Sequence, residues 1–172
     1  MPTPDVTVVP VSAALAPAVR ALRADPDQYA FIGDVEANLI AAQASPDTEA
    51  MAVLEGGTVI GFYRVDLRPG SIAGCDYGNR CAGLRSFMID RTHQGRGLGT
   101  LALQACCTDL ERRHPQLRLL ALTVNCANPV AISAYRNAGF VDSGSLYFGG
   151  PSGPQRLMLR RLDPASVGES AA

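Results

Sequence analysis

The chain has 172 residues, 47% of them apolar and 18% charged, with a formal net charge of −1. That length can bury a sizeable core in one domain, and the composition excludes a disordered chain. Near-neutrality gives nothing overall to draw the protein to nucleic acid or membrane, so neither is expected as a partner.

All fifteen basic residues are arginine, and the charge is polarised along the sequence. Seven acids (Asp25, Asp27, Asp34, Glu36, Asp47, Glu49, Glu55) fall between Ala24 and Tyr63 with no basic residue among them. From Arg64 onward arginines outnumber acids, which suggests two ligands of opposite charge.

In chain order, MPTPDV lacks a basic region and VVPVSAALAPAV is broken by prolines, so neither a signal peptide nor a membrane span is expected. VTVVPVS (6–12) reads as a first strand, with Pro10 tolerated at a sheet edge or bulge. Ser12 opens a helix to Arg23, and Asp25-Pro26-Asp27 opens a second running to about Gln43, with Phe31, Ile32, Val35, Leu39 and Ile40 at helical spacing. MAVLEGGTVIGFYRVD is a hairpin around Gly56-Gly57, and 67–83 is a long glycine-rich connection. GLRSFMID (83–90) is the next strand, then a helix from Gly97 to Arg113, stopped by His114-Pro115. LRLLALTVN (117–125) is apolar almost throughout, as a strand covered on both faces should be. Asn128-Pro129 starts the last helix and Gly139 ends it, before FVDSGSLYF and QRLMLRRL close the sheet. The order β-α-α-β-β-β-α-β-α-β-β is a mixed α/β sheet with helices on both faces. Residues 1–163 are read as one domain and 164–172 as a disordered tail.

Five cysteines without a CxxC pair argue against a disulfide framework or zinc site and for free thiols in the cytoplasm. The one local pairing open to them is Cys75 with Cys81.

Gly95, Gly97 and Gly99 alternate where a strand gives way to a helix, an arrangement that lets amide N–H groups converge on an anion at a helix N-terminus. A P-loop is excluded because there is no lysine. A dinucleotide fingerprint fails on spacing, since Thr100 stands where its third glycine belongs, and on the loop's mid-chain position.

The stretch from Gln94 to Gly99 resembles the Q/R-x-x-G-x-G/A element of the GNAT superfamily of N-acetyltransferases. NPVAISAYRNAGF (128–140) is similar to that family's N-x-x-A-x-x-x-Y-x-x-x-G-F, with Asn128, Ala131, Tyr135, Gly139 and Phe140 in place. FMID is also reminiscent of the family's diamine and spermidine acetyltransferases. The resemblance implies a mostly antiparallel sheet of about six or seven strands flanked by about four helices. It implies acetyl-coenzyme A as acetyl donor, no metal, and a small-molecule amine acceptor. Many members dimerise through their closing strands, so a homodimer is a further expectation.

Carried onto this sequence, the resemblance puts the pyrophosphate on the amides of Gln94, Gly95, Arg96, Gly97, Leu98, Gly99 and Thr100, with the Arg91 and Arg96 side chains adding charge. The pantetheine arm pairs with Phe87, Met88 and Ile89, and Asn125 and Asn128 lie by the cofactor. Tyr135 is the general acid for the leaving thiolate. An acceptor amine near pKa 10.4 is neutral in only about one molecule in ~2,500 at pH 7, a penalty of ~4.6 kcal/mol. Many relatives carry a glutamate on the fourth strand, but 83–89 contains no acid. Asp34, Glu36 or Asp66, through water, remain as alternatives for the base, as does an acceptor amine whose own pKa is lowered. The acidic stretch suggests a small cationic acceptor, a polyamine or amino sugar, walled by Tyr29, Phe31 and Tyr63. Two rivals stay open: a catalytically silent acyl-coenzyme A sensor, and a protein or peptide N-acetyltransferase.

Overall fold

The computed structural model describes residues 2–68, 72, 77–150 and 152–164. The apolar runs become the strands β1 (Val6–Pro10), β2 (Thr48–Glu55), β3 (Thr58–Asp66), β4 (Cys81–Ile89), β5 (Leu119–Asn125), β6 (Val141–Tyr147) and β7 (Gln155–Arg161). Helices are α1 (Ala16–Arg20), α2 (Tyr29–Ile32), α3 (Val35–Gln43), α4 (Leu98–Arg113) and α5 (Pro129–Asn137). One seven-stranded sheet runs β1-β2-β3-β4-β5-β7-β6, antiparallel except between β4 and β5. The mixed, mostly antiparallel sheet with helices on both faces is therefore as expected. Pro10 sits on the edge strand, where its missing N–H leaves no ladder bond unmade.

Two expected helices come out differently. The first is shortened to α1, which carries Pro17 in its first turn. The second is not continuous: Gly33 adopts φ 78°, and Asp34 turns extended to cap α3 by accepting from the Glu36 N–H at 3.3 Å. A left-handed glycine followed by a good N-cap outweighs the helical periodicity that spans both pieces. Cys75 lies outside the described residues, as do 165–172 of the expected tail. Among the described residues no helix is long and apolar enough to cross a membrane.

The sheet carries a core on each face. On one, α4 and α5 pack Leu98, Leu103, Leu110 and Ile132 against Val53, Ile60 and Leu122. On the other, Val19, Leu22 and Leu39 cover Ala52, Phe62 and Met88.

The feature that makes a site is a split in the sheet. β4 and β5 pair only over Cys81–Gly83 and Leu119–Ala121, although the strands continue to Ile89 and Asn125. A register shift between Phe62 and Arg64 marks a bulge in β4 at Ser86-Phe87, and Ser86 is held at φ 53°. A bulge bends its strand, and this one carries β4 away from β5. Its geometry is secured from α3: Ser86 Oγ donates to Asn38 Oδ1 at 2.8 Å, and Asn38 Nδ2 donates to the Asp34 carbonyl at 2.9 Å.

Far from the split, Arg113 fastens the end of α4 to β2. Its guanidinium donates to Asp109 at 2.7 and 2.9 Å and to Glu49 at 2.7 Å, and His114 Nε2 lies 3.0 Å from Glu49. Burial pushes the Glu49 carboxyl upward, but the bonds from Arg113 and His114 outweigh it and hold the group below its ordinary range. We expect Arg113→Met to destabilise the fold by about 2–3 kcal/mol at pH 7, less than a fully buried pair because the side chain is partly exposed. A carboxylate with a depressed folded pKa stabilises above its unfolded pKa near 4.3 and loses that contribution as pH falls through the folded value. Urea midpoints at pH 7 and pH 3.5 check this, and a gap between variant and wild type that does not narrow at the lower pH would refute it.

Candidate active site

The divergence of β4 and β5 opens a cleft of about 980 Å³. Residues 84–89 of β4 form one wall, and Thr123–Asn125 with the first turns of α5 form the other. Beyond Gly83 the edge of β4 that faces β5 has no ladder partner. Buried strand groups need partners, so this edge is disposed to pair with an extended ligand arm. Phe87, Met88 and Ile89 all lie along it. The Ile89 carbonyl is already used, accepting from Gln94 Nε2 at 2.9 Å.

At one end of the cleft lies the glycine loop. Asp90 steadies its approach by accepting from the N–H groups of Thr92 at 3.0 Å and Arg23 at 2.8 Å. Burial raises the Asp90 carboxyl, but these bonds and the Thr92 hydroxyl bring it below its usual range. The Gln94 side chain ties the loop to Gln28, at 2.9 Å, as well as to β4, so its role is structural while its amide stays with the loop. Gly95 and Gly97 adopt φ 77° and 75°, and Gly97 is the N-cap of α4. No side chain caps this end and no acid stands in its first turn, so the leading N–H groups of a sixteen-residue helix are left for a ligand. A Cβ added at Gly95 or Gly97 would meet no protein atom within 4 Å. Gly99 is different: it has ordinary helical φ, and an added Cβ would approach only Ile89 Cγ1, at 3.9 Å. These features fit a phosphate-bearing group. Leu98 can give only its backbone, since its side chain is 1% exposed in the core. The Arg96 guanidinium is ion-paired with Glu55 at 2.7 Å and is not among the residues that line the cleft. Thr100 and His93 line the same end.

Asn125 and Asn128 build the far rim. Asn125 Nδ2 donates to the Ser152 carbonyl at 2.7 Å and its Oδ1 accepts from the Ala127 N–H at 2.8 Å, which joins the α5 turn to the β6–β7 connection. Asn128 caps α5 by accepting from the Ala131 N–H at 3.2 Å. Tyr135 comes from the inward face of α5 and lines the cleft, with its ring edge-on to Phe87 at 6.2 Å and to Phe140 at 5.7 Å. Its hydroxyl makes no hydrogen bond with another described residue, while its carbonyl accepts from the Ala138 and Phe140 N–H groups. Burial raises its pKa well above tyrosine's ordinary value, and the nearby Cys106 acts in the same direction.

Of the expected acceptor residues, Tyr29, Asp34 and Glu36 are brought together, and Tyr63 and Asp66 lie elsewhere. Tyr63 is 1% exposed and packs in the core on the α4 face, so it is no pocket wall. Tyr29, Asp34 and Glu36 line an adjoining hollow of about 270 Å³, which shares Ile32 and Met88 with the cleft and in which Glu36 is ion-paired with Arg20 at 2.5 Å. Asp66 is buried and engaged, accepting from Arg85 Nε at 2.5 Å and from the Thr48 hydroxyl at 2.8 Å. Phe31 does line the cleft. Sequence reasoning missed Arg64 and Arg85, which line it too. Both look like solvated strand charges; the available signal was a charge standing mid-strand in each of two adjacent apolar runs.

The acetyltransferase (GNAT) family model matches residues 16–140. No curated protein matches the chain significantly. Among solved structures, the aminoglycoside acetyltransferase AAC(6')-Ib in complex with paromomycin and acetyl-CoA aligns with TM-score 0.72 at 19% identity, over 97% of this chain and 99% of that one. The spermidine N-acetyltransferase from Vibrio cholerae in complex with CoA and spermine aligns with TM-score 0.68 at 18% identity, over 91% and 95%. An acetyltransferase of the GNAT family from Streptococcus pneumoniae aligns with TM-score 0.64 at 18% identity, over 92% and 100%. At these identities the solved structures speak for the fold.

Proposed function

The chain belongs to the acetyltransferase (GNAT) family, and we propose that it transfers acetyl from acetyl-coenzyme A directly to a primary amine of a small acceptor. One observation carries this reading: an uncapped helix N-terminus, an unpaired strand edge and Tyr135 line one continuous cleft. The loop amides from Gln94 to Thr100 hold the phosphates, and the β4 edge takes the pantetheine arm. The amine nitrogen attacks the thioester carbon, the C–S bond breaks, and the departing sulfur takes its proton from Tyr135. The proton lost by nitrogen returns through solvent in the cleft, so coenzyme A leaves as the thiol and the phenol is restored. The free thiols of Cys106, Cys107 and Cys126 support a cytoplasmic setting.

The aminoglycoside and spermine complexes of the fold relatives favour an amine acceptor. The cationic character expected from the sequence rested on Asp34, Glu36 and Asp66, and none of the three offers a free carboxylate to the cleft. We therefore expect Asp34→Asn with Glu36→Gln to leave acceptor KM within about twofold, since Asn caps α3 as well as Asp and the Arg20 pair is exposed. A clear rise in KM for spermidine would restore the cationic reading.

The test is coenzyme A release from acetyl-coenzyme A, followed by chromatography across polyamines, aminoglycosides, amino acids and peptides. Thiol dyes are unsuitable because Cys126 is partly exposed. Turnover with any of these amines supports the transferase reading. Tight coenzyme A binding without turnover would support the sensor.

A further inference from the structure

Charge in the cleft is one-sided. Among its described lining residues there is no aspartate or glutamate, while Arg64 and Arg85 both face it. The two are directly opposed across β3 and β4. Like charges opposed in this way destabilise a sheet unless something balances them. Asp66 balances one of them: its carboxylate receives Arg85 Nε at 2.5 Å, and its second oxygen receives the Thr48 hydroxyl at 2.8 Å. Arg64 is left over. Its Nε is buried and has no hydrogen-bond partner, and although Asp66 lies close enough to attract it, no carboxylate among the described residues stands at ion-pair distance from its guanidinium. An arginine held half-buried and unpaired at the wall of a cleft costs stability, and a planar anion is the partner its fork fits.

Arg64 and Arg85 lie on the sheet face that carries α1–α3: on β3 they share it with Phe62, and on β4 with Met88, both packed in that core. The bulge residue Ser86 points to the same face, bonded to Asn38 of α3. Tyr135 and the α4 N-terminus belong to elements packed on the opposite face. The guanidiniums thus lie on the face of the sheet opposite the elements that build the phosphate cradle, on the side left for the acceptor.

Resting on the transferase reading above, we propose that the acceptor is a small amine that also carries a carboxylate, and that Arg64 holds this carboxylate while Arg85, fixed by Asp66, borders it. The substrate class is amino-acid-like, in contrast to the polycationic amines bound by the fold relatives.

The test pairs each amino acid with its amide (glycine with glycinamide, alanine with alaninamide), alongside spermidine and kanamycin, on wild type, Arg64→Met and Arg64→Lys. In the wild type the free acids should exceed their amides in kcat/KM by about 10- to 100-fold, the range of a charge-assisted bond. Arg64→Met should erase that preference through acceptor KM, leaving acetyl-coenzyme A KM unchanged, and Arg64→Lys should restore part of it. Removing an unpaired, desolvated charge should not lower Tm, so a fall in activity with an intact Tm is attributable to the site. Amides or spermidine turned over as well as the free acids would overturn the proposal and leave the transferase reading standing. Turnover of no amine, with coenzyme A still bound, would overturn both.

Discussion

Tyr135→Phe is expected to lower kcat by about 10²- to 10³-fold while acetyl-coenzyme A KM stays within about twofold. The ring is fixed on three sides, by α5 and by edge-on contacts with Phe87 and Phe140, and phenylalanine keeps all of them. What is lost is one hydroxyl that faces the cleft and serves no other described residue. Burial raises the phenol's pKa, which has two consequences. The group holds its proton throughout the neutral range, as an acid must. It is also a weaker acid than an exposed tyrosine, so transfer to sulfur needs a thiolate whose own basicity is raised by the same desolvation. The sign of the pH dependence follows. Rate should rise with pH as the acceptor amine loses its proton. A descending limb from ionised Tyr135 should be absent below pH 10, because a raised pKa keeps the protonated form present beyond that point. A kcat for Tyr135→Phe within threefold of wild type, or a wild-type descending limb between pH 8 and 9, would remove this residue from the mechanism.

Much of the fold was legible because its signals are local. Pro10 marks an edge, Asn128-Pro129 a helix start, and the unbroken apolar run of β5 a strand buried on both faces. The cofactor end was legible for a related reason: a run of glycines at a strand–helix junction has few structural uses. The acceptor end was not. Gly33 could be read as part of a helix because periodicity continues through it, whereas its φ and the Asp34 cap decide otherwise. The acids between Ala24 and Tyr63 form a block in sequence, but folding disperses them: Glu55 to Arg96, Glu49 to Arg113, Glu36 to Arg20. Part of the linear charge polarity is thereby consumed in ion pairs, and the charge lining the cleft comes from two arginines on adjacent strands, of which Asp66 neutralises Arg85. Their apposition depends on the β3–β4 register and on the bulge at Ser86, neither of which a single sequence displays.

The glycine loop permits a test in which stability and binding are driven apart. Gly97→Val forces a β-branched residue to φ 75° and should cost about 1–3 kcal/mol, a Tm loss of several degrees. The added side chain meets no protein atom within 4 Å of its Cβ, so it intrudes only on the space above the loop. Coenzyme A Kd should rise by at least about 100-fold if that space belongs to phosphate, since the amides can no longer be approached closely. Loss of fold and loss of binding run together in that variant, and Gly99→Ala separates them. At 99 the backbone is ordinary helix and nothing crowds an added methyl, so alanine should stabilise α4 by about 0.5–1 kcal/mol. A glycine retained there against helix propensity has no reason within the protein. If its reason is the ligand, Gly99→Ala raises Tm while weakening coenzyme A binding, measured by calorimetry on the same preparation. A rise in Tm with Kd unchanged would show that phosphate contact ends at Gly97, and that the third glycine of the series takes no part in the cradle.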